Sequence, residues 1–364
     1  MATQHPSRGP QPLTSDVQQA EQCDAAGAHG DAITHLAAGA RKHNVEALTR
    51  LGKRLLVGDR APCLPKDGAG LIAEASTRGG AEAAAVLAVL YAVGAHRGHG
   101  VQAALESLIV AAERGWPQAQ AQLRVLAAEA GSDEGAARFD AASAALPVDW
   151  RAVGQRIDLA AWQTAPAATD LNGSPLIRSY PKFASPHVCR WLIDRSRGRL
   201  SRALVYEALS REVMAKPTRT NTAAVFNLTD TDLVFVLVQL RMSACLGVPL
   251  RHFEAVTVLH YDMGEEITDH YDFIDPNIPN YAQEIAQQGE RVVTFLVYLN
   301  DEYANGETGF PRLGIEHKGS RGEGLFFVNA VDAKPDTRAL HAGRSPVSGE
   351  KWIVSQFVRD RPLL

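Results

Sequence analysis

The sequence predicts an α+β chain in two parts: an all-α solenoid of helical repeats, then an antiparallel β-sandwich or barrel preceded by helices. Three observations carry this prediction. The first part repeats itself at an offset of 36 residues. Residues 1–150 hold 36 alanines and four aromatics, whereas residues 151–364 hold 21 alanines and 20 aromatics, so two differently built cores share one chain. Short β-branched and aromatic runs set apart by Gly, Pro, Asn and Asp lie only in the second part. The length of 364 residues also exceeds the usual size of one domain.

The offset of 36 aligns Leu36, Ile72 and Leu108; Gly39, Ala75 and Ala111; Ala47, Ala83 and Ala119; and Leu51, Leu87 and Leu123, with Gly58 and Gly94 closing the first two units. Within the second unit Ala75, Ala83 and Leu87 follow helical spacing, with small residues where two helices must touch. Fixed self-similarity at this period is the mark of stacked helix pairs. The pattern, with the phrases AAERGWPQAQAQL and ALTRLG, resembles the Sel1-like branch of the tetratricopeptide repeats over residues 15–130. That resemblance implies protein or peptide binding on a concave face. Residues 1–14 are expected to be a flexible N-terminus.

Periodicity fades after Gly131, and Pro147, Pro166, Asn172-Gly173 and Pro175 break the chain, which places a joint at residues 131–169. Beyond it, residues 183–197 read as a helix opened by Ser185 and Pro186 and stopped by Gly198, and residues 230–245 as a second. Strands are expected at 255–260, 292–299, 324–328 and 352–358.

Composition excludes several roles. A net charge of −4 gives no support for a polyanionic partner, so no nucleic acid is expected. The N-terminus lacks the apolar core of a secretory leader, and no stretch reaches 18 apolar residues, so neither export nor a membrane is expected and the location reads as cytoplasmic. Cys23, Cys63, Cys189 and Cys245 form no C-x-x-C pair, which suits reduced thiols.

In the segment LHYDMGEEITDHYDF, His270 and Asp272 stand two apart in an expected strand, where alternate side chains project to one face. His341 follows 69 residues after Asp272. Two histidines and a carboxylate make the facial triad of non-haem Fe(II) oxygenases, which leaves positions open on the metal. H-x-D alone is weak, since surface His-Asp pairs are common. Lys351, ten residues past His341 at the head of a final apolar strand, is an ordinary edge charge or a cationic anchor for the far carboxylate of a dicarboxylate cosubstrate.

With RVVTFLVYLND, NGETGFP, GLFFVN and LHAGRSPVSGEKW in that order, and PLIRSYPKFASPHVCRWL and Arg219-Thr220-Asn221 upstream, residues 170–364 resemble the prolyl 4-hydroxylase branch of the 2-oxoglutarate- and Fe(II)-dependent dioxygenases. The resemblance implies a double-stranded β-helix (jelly-roll) oxygenase domain with flanking helices. It places His270, Asp272 and His341 as ligands of Fe(2+), with no catalytic residue beyond them, and Lys351 on the C5 carboxylate of 2-oxoglutarate. Tyr261 and Tyr298 match tyrosines that reach 2-oxoglutarate, although each could equally be a core aromatic. Thr308 reads as shaping a turn. Arg291 aligns with an arginine at the substrate mouth, where an ordinary edge arginine would look the same. O2 is the second cosubstrate, and L-ascorbate is the reductant the family commonly uses. Phe357 and Arg359 stand where plant-type relatives present Trp and His, so the surface that meets substrate is altered.

The function implied is hydroxylation of prolyl residues in a protein or peptide, with release of succinate and CO2, and with the repeats recruiting the substrate. An oxygenase of the same machinery acting on another side chain or a small molecule is the alternative. A repeat scaffold with a silent oxygenase fold is disfavoured by the intact His270, Asp272, His341 and Lys351. The 18 residues between Asp272 and Arg291 are expected to form a loop over the active site.

Overall fold

The computed structural model describes residues 15–96, 100–129, 148–203, 205–207, 212–214, 218–275, 277–332 and 334–363. The expected flexible N-terminus and the first part of the expected joint, to residue 147, lie outside the described residues. The chain divides into two compact units, Met1–Ala121 and Gln122–Leu364.

The first unit is built from consecutive helices: α1 (Ser15–Ala25), α2 (His29–Arg41), α3 (Val45–Val57), α4 (Pro65–Thr77), α5 (Ala81–Ala92) and α6 (Gly100–Glu113), with α7 (Pro117–Glu129) next in sequence. From α1 to α6 each helix packs on the one that follows. The positions that coincide at 36-residue spacing are the buried ones, Leu36, Ile72, Leu108, Ala75, Ala111, Ala47 and Ala83 among them. Their smallness has a geometric cause. A Cβ placed on Gly39 in α2 would lie 2.7 Å from the Cβ of Ala47 in α3, and one on Gly68 in α4 would lie 2.7 Å from the carbonyl oxygen of Gly52 in α3. These backbones approach too closely for a larger side chain. Asn44 caps α3 by accepting from Ala47 N at 2.8 Å, and Gly58 ends it at φ +72°, a left-handed conformation that favours glycine.

The second unit holds an eight-stranded and a four-stranded antiparallel sheet. The larger runs in the order Thr169–Gly173, Leu176–Tyr180, Gly324–Val328, Arg291–Tyr298, Lys351–Arg359, Val256–Tyr261, Thr222–Phe226, Ser201–Arg202. The smaller runs Ile315–His317, Thr308–Phe310, His341–Gly343, Ile267–His270. Leu259, Tyr261, Leu296, Leu325, Phe327 and Ile353 of the larger sheet share one buried cluster with Phe310 of the smaller, and Ile267 packs against it. This two-sheet arrangement is consistent with an oxygenase jelly roll.

Helices accompany the sheets. Pro186–Arg197 is capped by Ser185, whose hydroxyl accepts from Val188 N at 3.4 Å. Leu233–Leu246 starts later than the expected 230, because Asp232, not Asp230, accepts from Phe235 N. The expected loop after Asp272 is corrected: it contains a helix, Pro279–Gln288, opened by a proline in its first turn and closed by Gly289 at φ +83°. Among the described residues no helix is long and apolar enough to cross a membrane. All four cysteines are free thiols.

Candidate active site

Strand pairing brings the two histidines together. His341 opens its strand directly opposite His270, the last residue of Ile267–His270, and their ring centroids lie 4.2 Å apart. The strand stops there, so Asp272 follows in a bend and does not sit on the strand face that alternation would give it. Its carboxylate is placed by a neighbouring strand instead: Thr294 Oγ1 donates to Asp272 Oδ2 at 2.7 Å, and Asn329 Nδ2 donates to Thr294 Oγ1 at 2.8 Å. Asp272 then faces His341 Nε2 at 3.2 Å and His270 Nε2 at 3.5 Å, and one ligand atom from each of the three residues lies within 4.8 Å of the others.

The remaining hydrogen bonds set the protonation of the donors. His270 Nδ1 lies 2.8 Å from the carbonyl of Thr268, and His341 Nδ1 lies 3.0 Å from that of Ala339. A carbonyl only accepts, so each Nδ1 carries a proton and each Nε2 is the atom left facing Asp272, the atom a metal would take from the neutral ring. Burial opposes ionisation of Asp272, yet the His341 and His270 rings hold its carboxyl well below the usual range. His270 is pushed down by burial and by His341, which favours its neutral form, whereas His341 is pushed up, the Asp272 carboxylate outweighing its burial, so a metal binding there must displace a proton that Asp272 holds in place. Phe327, with its ring centroid 4.5 Å from that of His341, fixes that ring in place. Two imidazole nitrogens and one carboxylate, converging on one point, are the donor set of a facial triad and fit Fe(II).

A cavity of about 1160 Å³ opens beside these donors. Lys351 stands in its wall, 1% exposed, and burial pushes its ammonium down to about 7. The rings of Tyr261 and Tyr298 lie 5.2 and 5.9 Å from that ammonium, and the Glu307 carboxylate favours its charge against burial. A buried cation beside aromatic rings, with burial outweighing its one acidic neighbour, is a good receptor for an anionic group. Tyr261 lines the cavity, and burial pushes its hydroxyl up to about 12. Tyr298 does not reach the wall: its hydroxyl shares a 2.8 Å hydrogen bond with Thr308 Oγ1, and it is Thr308 that lines the cavity.

Arg291 also lines the cavity, with its donors committed. Its Nε and Nη2 donate to the carboxylate of Glu254 at 2.7 and 2.8 Å, and its guanidinium lies 4.0 Å from the centroid of the Phe357 ring. Arg359 is 2% exposed and off the wall. Thus the structure gathers His270, Asp272, His341, Lys351, Tyr261 and Arg291 around one cavity and leaves Tyr298 one hydrogen bond behind it. Sequence reasoning missed Thr294 and Asn329, and it underrated Thr308. Thr294 did leave a signal, as a polar residue in phase with the buried Leu296 and Tyr298 on an apolar strand. Arg219, in the wall as well, was quoted only as part of a phrase.

Residues 256–359 match the model of the 2OG-Fe(II) oxygenase superfamily. Probable prolyl 4-hydroxylase 9 of Arabidopsis thaliana is 26% identical over 209 residues, which cover 52% of this chain and 71% of that protein. Prolyl 4-hydroxylase 13 of the same plant is 28% identical over 209 residues, covering 52% and 73%. Among solved structures, the viral collagen prolyl hydroxylase from Paramecium Bursaria Chlorella virus-1 in its 2OG complex is 27% identical, with a TM-score of 0.39, over 50% of this chain and 95% of that one.

Proposed function

Because this chain carries a 2OG-Fe(II) oxygenase domain with prolyl 4-hydroxylase homologues, we propose that it hydroxylates prolyl residues of a protein or peptide. His270 Nε2, His341 Nε2 and the Asp272 carboxylate hold Fe(2+). Lys351 and Tyr261 receive the C5 carboxylate of 2-oxoglutarate, and Tyr298 orients the same wall through Thr308. Arg291, steadied by Glu254 and Phe357, faces the substrate. When bound, iron and 2-oxoglutarate supply the oxidising chemistry: one O2 and one 2-oxoglutarate are consumed, one oxygen atom enters the substrate as hydroxyl, the other enters succinate, and CO2 leaves. The protein's own part is to hold donors, exclude water and keep the lone pairs directed inward. L-ascorbate is the expected reductant for turnovers that run without substrate.

One observation carries this reading. Three ligand atoms of His270, Asp272 and His341 within 4.8 Å of one another and a buried lysine share the wall of one cavity. The decisive experiment incubates proteins with the enzyme, Fe(2+) and 2-oxoglutarate and searches by mass spectrometry for single-oxygen additions on proline, with His341→Ala as control. Additions confined to another residue type, or to small molecules alone, would replace the prolyl assignment by the wider oxygenase one. Absence of succinate under all conditions would leave a silent fold.

Helices α1 to α7 are read as Sel1-like tetratricopeptide repeats that recruit the substrate, supported by the burial of the 36-residue coincidences. Removing residues 1–140 should then weaken action on a protein target far more than peptide-free decarboxylation. Equal loss of both would assign them a structural role. A cytoplasmic location belongs to the same proposal, supported by the four free thiols, and fluorescence microscopy of the tagged chain tests it.

A further inference from the structure

The Pro279–Gln288 helix contributes Tyr281 and Glu284 to the cavity wall. Its own last turn contains no basic residue, although the free carbonyls of a helix end favour cations. The cations come from the end of the last strand. Arg359 Nη1 donates to Gly289 O at 2.6 Å and Arg361 Nη1 to Ala286 O at 3.1 Å. Arg359 Nη2 also donates to Glu284 at 2.7 Å, and its Nε donates to Glu254, the carboxylate that already holds Arg291. One buried guanidinium thus ties the helix, its terminal carbonyl and the support of Arg291 to a central strand. Gly289 packs so tightly there that a Cβ would lie 2.1 Å from Asp360 Oδ1.

We propose that Arg359 is a positioning residue that fastens the 279–288 helix as a fixed wall of the cavity, and so sets the width of the space a peptide main chain can enter. The inference rests on the reading of this cavity as the oxygenase site. It differs from substrate contact at this position, because the Arg359 side chain is spent on Glu254, Glu284 and Gly289 and is shielded from the cavity. With the guanidinium removed, the segment keeps the Arg361 contact, the two bonds between Glu290 and Asp360 and the bond from Ile274 N to Glu290 Oε1, but loses the ties through Glu284 and Gly289 O. Opening of the segment then becomes easier while iron and 2-oxoglutarate keep their ligands.

The test uses the full chain as wild type, Arg359→Gln, Arg359→Lys and Glu284→Gln, with hydrogen exchange read over residues 279–289. Glu284 is part-exposed, so Glu284→Gln tests one arm of the tie if Arg359→Gln folds poorly. Exchange over the segment should quicken about tenfold in Arg359→Gln, less in Glu284→Gln, with partial rescue by Arg359→Lys. With poly-L-proline as probe, KM should rise about tenfold in Arg359→Gln, while kcat and peptide-free decarboxylation stay within about twofold. Unchanged exchange in both variants overturns the proposal, and quickened exchange with an unchanged KM overturns its claim on specificity. Failure of the wild type to hydroxylate the probe counts against the prolyl reading, and the exchange result still decides whether Arg359 holds the helix.

Discussion

Lys351 and Tyr261 face each other directly across adjacent antiparallel strands, with the lysine ammonium 5.2 Å from the centre of the phenol ring. The Glu307 carboxylate offsets burial only in part, and burial lowers the pKa of that ammonium from the ordinary 10.5 to about 7. An incoming carboxylate favours the charged form and raises the value again.

Binding of 2-oxoglutarate should therefore take up a proton. Above about pH 7 the free site is increasingly neutral, so affinity should fall by up to tenfold per pH unit until the pKa of the bound state is reached. Calorimetry at pH 8 in two buffers of different ionisation enthalpy measures the uptake. Identical heats in both would refute it. Lys351→Ala should raise the KM for 2-oxoglutarate by about 100-fold, and an unchanged KM would mean that another cation anchors the carboxylate.

Thr294→Val removes the hydroxyl that donates to Asp272 and accepts from Asn329, at nearly constant volume. Fe(II) affinity should weaken by about 10- to 100-fold, as measured anaerobically by competition with a chelator. Unaltered affinity would show that the bend alone orients Asp272.

His341→Ala should abolish succinate formation while the circular dichroism spectrum stays that of the wild type. Undiminished turnover would remove this histidine from the metal.

Gly39→Ala should destabilise the helical unit by about 1–3 kcal/mol, because its methyl would meet Ala47 Cβ at 2.7 Å. Gly30→Ala in the same helix meets nothing within 4 Å and should be neutral or slightly stabilising. Urea denaturation of both variants distinguishes close packing from helix propensity.

Much of the site was legible because its donors carry their chemistry in short, ordered phrases. His270, Asp272, His341 and Lys351 could each be named from residue type and spacing. The supporting residues could not, since their partners are remote in sequence. Asn329, Thr294 and Asp272 form one chain of hydrogen bonds drawn from three separate segments. Arg359 was legible as a departure from plant-type relatives, but its partners Glu254 and Glu284 were not. The segment after Asp272 looked like a loop because its proline and asparagine content resembles a turn. A proline in the first turn of a helix is compatible with the same composition, and the contacts of Arg359 and Arg361 with the helix end support the helical outcome.

Periodicity and local chemistry were enough to determine an alanine-packed helical half, an antiparallel half, and the donor types of an iron and dicarboxylate site, because these are properties of neighbouring residues. Tertiary structure decided what depends on distance between remote segments. It ended the strand at His270 and handed Asp272 to Thr294, put Thr308 between Tyr298 and the cavity, buried Lys351 beside aromatic rings, and turned Arg359 away from the cavity to hold a helix. Burial is the physical reason: it removes water as an alternative partner, so each polar group must be matched to whichever distant residue the fold supplies.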